Sequence, residues 1–175
     1  MGSGSRPPAV GDLIILDSER AQRVRDATIT IRPARTSDIL SVGLIERDSF
    51  SDPWGPREFT TAVESPQTIF SVATDGSGVV VGYAIAVAVA DEAEILNIAV
   101  HSAHRSAGIG GKLLDTMLAK LRESGAENVY LEVRESNSSA RKLYDSRGFE
   151  EISRRRSYYR NPVEDALVLR LGMQR

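Results

Sequence analysis

The feature that most restricts the fold of this chain is a change of hydrophobic period along its middle. Apolar, β-rich runs at 69–74 and 79–90 are joined by Asp75-Gly76-Ser77-Gly78, a typical hairpin turn, and a third run follows at 94–100. Apolar residues then recur at helical spacing, at Leu113, Leu114, Met117, Leu118 and Leu121. Strands joined by short turns pair antiparallel, so the sequence predicts an antiparallel sheet followed by a helix packed on it.

Three elements are predicted before this block. Thr28 to Arg32 alternates Thr and Ile and predicts a first strand. Ser37 is placed to cap a helix that ends at about Ser49. A second short helix is expected from Pro56 to Glu64, because proline suits the first position of a helix.

Four elements are predicted after the long helix, which Gly125 is expected to close. They are a strand at 129–133, a helix at 138–146 and two strands at 150–159 and 166–171. The predicted order β-α-α-β-β-β-α-β-α-β-β is a mixed α+β fold without an internal repeat.

The composition fits one globular domain. The chain has 175 residues, of which 41% are hydrophobic, enough for a core. Residues 1–27 begin Met-Gly-Ser-Gly-Ser-Arg-Pro-Pro, which does not nucleate a core. We expect them to be a flexible N-terminal extension, either native linker or a segment added for expression, and assign the domain to 28–175.

Charge and cysteine content exclude several classes of protein. The 22 basic and 24 acidic residues leave no positive field for nucleic acid or an anionic membrane. The absence of cysteine excludes disulfides, thiolate metal sites and a cysteine nucleophile. No apolar run approaches the roughly 20 residues that a membrane span needs. We therefore expect a cytoplasmic protein.

A glycine-rich turn, Arg105 to Gly111, lies between a predicted strand and the long helix. The first N–H groups of a helix lack internal partners and favour an anion, and glycines at 108, 110 and 111 let phosphate oxygens approach the backbone. The turn lacks the Lys-Ser/Thr of a Walker motif. Taken alone, it is equally typical of tight packing.

The pattern Arg-x-x-Gly-x-Gly after Leu96-Asn97-Ile98-Ala99-Val100 resembles the pyrophosphate loop of the Gcn5-related N-acetyltransferase (GNAT) superfamily. The resemblance spans about 28–172. It implies the GNAT acyl-CoA N-acyltransferase fold, layered α/β/α, whose mixed, mostly antiparallel sheet is flanked by helices, and acetyl-coenzyme A as cosubstrate. The residues that it implies line the cosubstrate are Ile98, Ala99, Val100, Arg105, Ser106, Ala107, Gly108, Ile109, Gly110 and Gly111.

A second pattern, Leu-Glu-Val-Arg-x-Ser-Asn-x-x-Ala-x-x-Leu-Tyr-x-x-x-Gly-Phe from Leu131 to Phe149, resembles the RimI family of bacterial ribosomal-protein alanine N-acetyltransferases. The resemblance places the catalytic glutamate at Glu132, the catalytic tyrosine at Tyr144 and a coenzyme-contacting asparagine at Asn137. Without the resemblance, Glu132 would be interpreted as a residue on the solvated side of a strand and Tyr144 as an aromatic residue of the core. Ser138-Ser139, Ser106-Ala107 and the N-terminal extension depart from the family pattern and leave the choice of acceptor open.

These residue types suit acyl transfer to an amine. An α-amine has a pKa of about 8 and a lysine about 10.4, so an N-terminus loses its proton more easily. Glu132 would take that proton directly or through water, and Tyr144 would protonate the departing thiolate. A backbone N–H near 98–100 would polarise the thioester. His101 and His104 are rival bases next to the glycine turn, and no His, Asp and Glu spacing predicts a metal site.

A basic aromatic segment, Arg154 to Arg160, contains Tyr158 and Tyr159. Its composition suits RNA binding or a strand with a solvated arginine face. The family resemblance places it in the last hairpin, where Tyr158, Tyr159 and Trp54 would bind the acceptor, so no direct contact with nucleic acid is expected. Which tyrosine faces the acceptor stays open, because one residue of register swaps the faces of a strand.

The sequence therefore predicts an N-terminal protein acetyltransferase that modifies the N-terminal alanine of a small-subunit ribosomal protein by direct transfer in a ternary complex. One alternative is a lysine or small-molecule amine acetyltransferase on the same scaffold. The other is an acyl-coenzyme A-binding or ribosome-associated module without activity.

Overall fold

The computed structural model describes residues 28–173, and the extension predicted at 1–27 lies outside the described residues. Seven strands form one sheet in the order β1-β2-β3-β4-β5-β7-β6. Only the β4 and β5 pair is parallel, which confirms the mixed, mostly antiparallel sheet. The strands are β1 Thr30–Pro33, β2 Thr68–Thr74, β3 Val80–Val89, β4 Glu92–Val100, β5 Asn128–Arg134, β6 Glu150–Arg160 and β7 Val163–Gly172.

Four helices cover the sheet: α1 Ile39–Ser49, α2 Pro56–Glu64, α3 Ile109–Glu123 and α4 Ser138–Asp145. Alternate residues of β3 pack into two different clusters, Tyr83 and Ile85 with α1 and α2, Ala84 and Ala86 with α3. Because successive side chains of a strand point to opposite faces, the helices lie on both faces of the sheet. The layered α/β/α arrangement predicted from the sequence is confirmed.

The start of α1 differs from the prediction. Ser37 is exposed and lies inside a 3-10 turn, Thr36–Asp38, that precedes the helix. Asp38 is the N-cap residue of α1, but its side chain does not cap that helix. Its carboxylate accepts the Arg35 N–H at 2.8 Å, which closes the 3-10 turn, and it accepts both terminal nitrogens of Arg32 at 2.7 and 2.8 Å. Bonds to a charged group of this kind are stronger than neutral ones and fix the turn that precedes the helix.

Most other bounds lie within two residues of the prediction, and α2 matches it at both ends. The exception is β7, which begins at Val163 instead of 166. A two-residue turn at Asn161 and Pro162 lets Val163 pair directly with Arg160 of β6.

The sheet opens between β4 and β5. The two strands pair only from Glu92–Ile95 to 128–131. Beyond this point Leu96 forms a bulge, since Ile95 pairs with Ala86 and Asn97 with Ile85. From Leu96 and Glu132 onward the two strands diverge, each still paired on its other side.

Candidate active site

A groove on one side of the opening is formed around the glycine-rich turn, and we call it the glycine-turn groove. Its volume is about 640 Å³. Its walls are the end of β4, the turn at 105–111, α4, and Ser49 and Phe50 at the end of α1. The predicted cosubstrate residues that line it are Ile98, Ala99, Val100, Arg105, Ser106, Gly108, Ile109, Gly110, Gly111 and Asn137. The exception is Ala107, which packs against the core.

The N-terminus of α3 presents bare amides to this groove. Gly108 is the N-cap residue with a φ of +77°, and none of the described side chains caps it. A Cβ at Gly108 would meet nothing within 4 Å, so glycine is required there by the backbone angle. A Cβ at Gly111 would lie 2.8 Å from Arg147 Nη2, so this glycine leaves room for an arginine that follows α4. The end of a 15-residue helix with free N–H groups is suited to an anion.

Arg105 ties the glycine-rich turn to α1. Its Nε donates to the Val100 carbonyl at 3.1 Å, and its Nη2 donates to Ser49 Oγ at 3.3 Å. Asp48 lies 3.8 Å from the same guanidinium. The side chain is half exposed, so the charge stays accessible from the groove.

Asn137 and Tyr144 are held by α4. Asn137 is the N-cap residue of this helix, and its Oδ1 accepts the Ala140 N–H at 3.1 Å. Tyr144 is buried against Phe149, with 5.7 Å between ring centroids, and it lines the groove. Burial raises the pKa of Tyr144 to about 12, and the charge that Tyr159 carries once it is ionised adds to the rise. Its hydroxyl is therefore protonated at neutral pH and is able to donate a proton.

A second groove of about 610 Å³ lies on the other side of the opening, and we call it the aromatic groove. Trp54, Tyr158, Tyr159 and Glu132 line it. Glu132 is on the half-buried face of β5, opposite its buried neighbours, as strand alternation predicts. Its carboxylate lies 2.8 Å from Arg155 Nη1.

Both tyrosines of the basic segment line the aromatic groove, which the alternation of a regular strand does not allow. Ser157 has a φ of +51° and the register of β6 shifts between Arg155 and Tyr159, so the strand is irregular here. Hydrogen bonding to Glu132 raises the pKa of Tyr158, and burial raises that of Tyr159 to about 12. Both phenols are neutral donors at physiological pH.

The two grooves meet at two points. Phe50 lines both of them, and Asn97 of the aromatic groove is followed directly by Ile98 of the glycine-turn groove. Glu132 and Tyr144 therefore line different grooves that join at the opening of the sheet.

Comparison with known proteins decides the family. The sequence model described as "Acetyltransferase (GNAT) family" matches residues 39–149. The chain belongs to the GNAT family. It is accordingly an acetyl-coenzyme A-dependent N-acetyltransferase, and the resemblance predicted from the motifs is confirmed.

Relatives of this GNAT chain include the ribosomal protein bS18-alanine N-acetyltransferase of Escherichia coli K12. The identity is 33% over 144 residues, which cover 81% of this chain and 96% of the relative. A crystal structure of the ribosomal-protein-S18-alanine N-acetyltransferase from Escherichia coli is similar with a TM-score of 0.78 and 32% identity, covering 85% of this chain and 96% of that one. The crystal structure of Ard1 from Thermoplasma volcanium is similar with a TM-score of 0.77 and 29% identity, covering 84% of this chain and 99% of that one.

Sequence reasoning missed a buried carboxylate in this GNAT domain. Glu46 is 1% exposed and lines the aromatic groove. It accepts hydrogen bonds from the Tyr83 hydroxyl, the Trp54 N–H at 2.9 Å and Asn97 Nδ2 at 3.3 Å. Burial raises its pKa, and the bonds from Tyr83 and Trp54 oppose that rise. The available signal was a glutamate beside Ile45 on the apolar face of α1.

The two histidines that the sequence offers as rival bases do not share a groove with Glu132. His104 lines the glycine-turn groove, while His101 is exposed and its Nδ1 accepts the Ala103 N–H at 3.2 Å. Neither of them lines the aromatic groove. Within residues 28–173, no group of three or more His, Asp or Glu is arranged to hold a metal ion.

The arginines of β6 are partly neutralised. Arg154 lies 2.6 Å from a Glu135 oxygen and 3.5 Å from a Glu151 oxygen, and Arg155 pairs with Glu132. The phosphates of an RNA would have to displace these carboxylates before they could bind the arginines.

Across the part of the chain that the structure describes, no helix has the length and apolar character needed to cross a bilayer.

Proposed function

We propose that the protein transfers the acetyl group of acetyl-coenzyme A to the α-amine of an N-terminal alanine on a small-subunit ribosomal protein. The observation that carries the proposal is the pair of grooves that join at Phe50, with Tyr144 in one and Glu132 in the other. Such a pair admits two substrates at once. The relatives that act on bS18 alanine, similar over 81% of the chain, support this class of acceptor.

The glycine-turn groove is the site that we assign to acetyl-coenzyme A. The amides at 109–111 and the accessible guanidinium of Arg105 form a positive end for a pyrophosphate. Asn137, at the start of α4, lines the same groove. The apolar side chains of this groove, such as Leu143, suit the uncharged part of the cosubstrate.

Backbone donors for the thioester carbonyl are available at the end of β4. The His101 N–H bonds to the Val81 carbonyl at 2.9 Å. By the alternation of an antiparallel ladder, the N–H groups of Ile98 and Val100 then point away from β3. They point toward the opening that β5 leaves, where a fixed N–H stabilises charge that develops on a carbonyl oxygen.

The aromatic groove is the site that we assign to the acceptor N-terminus. Glu132 takes the proton of the attacking amine, directly or through water, and Arg155 holds the carboxylate in place. An α-amine, with a pKa of about 8, needs little help to lose that proton. Tyr144 returns a proton to the leaving thiolate. Direct transfer fits a chain without cysteine.

The experiment that tests the proposal follows thiol release from acetyl-coenzyme A with three acceptors of matched length. One peptide has a free N-terminal alanine, one has the same sequence with a blocked N-terminus, and one is blocked and carries a lysine. Turnover confined to the free N-terminus supports the proposal. Turnover of the blocked lysine peptide instead assigns the activity to side-chain amines, and binding without turnover of any peptide removes the assigned chemistry.

A further inference from the structure

Arg134, the last residue of β5, joins two segments that are far apart in sequence. Its Nη2 donates to Ser51 Oγ at 2.8 Å, and Ser51 is 83 positions away in the loop between α1 and α2. Its guanidinium carbon also lies 4.0 Å from the centroid of the Tyr159 ring on β6, which lines the aromatic groove, as Ser51 does. One side chain therefore contacts two distant segments of the groove lining.

The same guanidinium holds the turn between β6 and β7. Nη2 donates to the Asn161 carbonyl and Nη1 to the Pro162 carbonyl, both at 3.3 Å. Glu164 accepts a further bond from Nη1 at 3.3 Å and also accepts the Ser136 N–H. The side chains of Arg134 and Glu164 are 23% and 15% exposed, so the pair is shielded from water. A planar fork with several donors meets all these acceptors at once, which a lysine does not do.

Several partners of Arg134 line the groove that we assign to the acceptor. The loop at 50–55 contributes Phe50, Ser51 and Trp54 to the aromatic groove, and the other segment contributes Tyr159 and Asn161. Glu132 lies two residues before Arg134 on the same strand. A guanidinium bonded to both segments is placed to set their separation next to that carboxylate.

We propose that Arg134 is a positioning residue that sets the width of the aromatic groove and thereby the affinity for the acceptor amine. The inference rests on the proposed function for the identity of the acceptor, but the effect on groove width does not depend on it. Arg134 acts through Ser51 and the turn at 161–162. It touches neither reacting atom in this scheme.

Ser51→Ala is the most selective variant, because Ser51 is exposed and the change removes only the bond that crosses the groove. We expect KM for the acceptor peptide to rise by about three- to tenfold, the factor that corresponds to one hydrogen bond. Arg134→Lys keeps the charge but loses the fork, and we expect a larger rise. KM for acetyl-coenzyme A should be unchanged in both variants, since neither residue lines the glycine-turn groove.

Arg32→Lys is the matched control. Arg32 also makes a forked pair, with Asp38, its side chain is 26% exposed, and it lines neither groove. It should lower the melting temperature without changing either KM. If Ser51→Ala and Arg134→Lys leave the acceptor KM unchanged, or shift both KM values alike, Arg134 does not set the groove and the inference is wrong.

A second measurement needs no substrate. Trp54 is the only tryptophan of the chain and lies in the wall that Ser51 belongs to. Its quenching by acrylamide should increase in Ser51→Ala and Arg134→Lys and stay unchanged in Arg32→Lys. If the parent protein does not turn over peptides with free N-termini, the proposed function is wrong and the inference about Arg134 is unaffected. Unchanged quenching in the first two variants would overturn the inference about Arg134 alone.

Discussion

Tyr83→Phe tests whether the buried Glu46 carboxylate is stabilised by its hydrogen bonds. The Tyr83 ring is fully buried and its hydroxyl donates to Glu46 Oε2. The other two donors, from Trp54 and Asn97, both reach Oε1. The variant therefore leaves Oε2 without the donor that it has in the native structure, in a side chain that is 1% exposed.

The expected loss follows from the charge of the acceptor. A hydrogen bond to a charged group contributes about 1.5–3 kcal/mol, so we expect the free energy of unfolding to fall by about 2 kcal/mol. With a urea dependence of about 2 kcal/mol per M for a domain of this size, the midpoint should fall by about 1 M. Tyr130→Phe is the matched control. The Tyr130 hydroxyl donates to Glu92 at 3.5 Å on the surface, and its loss should cost less than about 0.5 kcal/mol.

The pH dependence gives a second, sharper result. Burial raises the pKa of Glu46 above its usual value, and the Tyr83 hydrogen bond lowers it. Removing that bond raises the folded-state pKa of Glu46 further. As the pH rises above the unfolded-state pKa of a glutamate, ionisation of Glu46 therefore costs the variant more folding free energy than it costs the parent. The difference in unfolding free energy should be larger at about pH 8 than at about pH 4.5. Equal urea midpoints for parent and variant, or a loss that is the same at both pH values, would refute the reasoning.

Three further predictions concern other parts of the molecule. Tyr144→Phe should lower kcat by about 10²-fold with little change in KM for acetyl-coenzyme A, and equal rates would remove Tyr144 as the acid. Gly108→Ala should cost about 1 kcal/mol in a thermal unfolding assay, because its φ is +77°, and should raise KM for acetyl-coenzyme A; an unchanged melting temperature would contradict this. The Arg32 guanidinium holds the pKa of Asp38 below its usual value, so its stabilisation is present above the unfolded pKa and is lost as the pH falls through the folded one. Asp38→Asn should therefore flatten the stability curve below about pH 4, and an unchanged acid limb in a pH series of urea titrations would argue against the pair.

Local patterns predicted the order of the helices and strands, because each signal acts within a few residues. Pro56 suits the first position of a helix because its φ is fixed and it has no N–H to leave unpaired, and Gly125 suits the end of one because it accepts a φ of +91°. Ser37 shows the limit of such reasoning. It lies inside a 3-10 turn that the Asp38 carboxylate closes, and Arg32 of the preceding strand holds that carboxylate, which is a contact between two elements.

The residues of the candidate site also fall into those with a local sequence signal and those that depend on distant partners. The glycine turn and Asn137 at the start of α4 are visible in sequence, since the signals for a helix terminus lie within a few residues. Glu46 and Arg134 were not found, because each gains its role from partners as far as 51 and 83 positions away. Tyr158 and Tyr159 were both named as acceptor-site candidates, but which of them faces the groove stayed open, since the irregular φ of Ser157 that lets both line it has no reliable sequence signal.

The opening between β4 and β5 explains why local and long-range features meet at one place. Two parallel strands that stayed paired to their ends would bury the N–H groups of Ile98 and Val100 in ladder bonds. The bulge at Leu96 ends that pairing while β3 still holds β4 and β7 still holds β5, so the backbone donors remain ordered but free on one side. Glu132 is the first residue of β5 beyond the last paired position, which places a carboxylate at the point where the strands part. The one-residue bulge at Leu96 thus leaves backbone N–H groups unpaired next to a carboxylate, which is the arrangement that the proposed transfer to an amine uses.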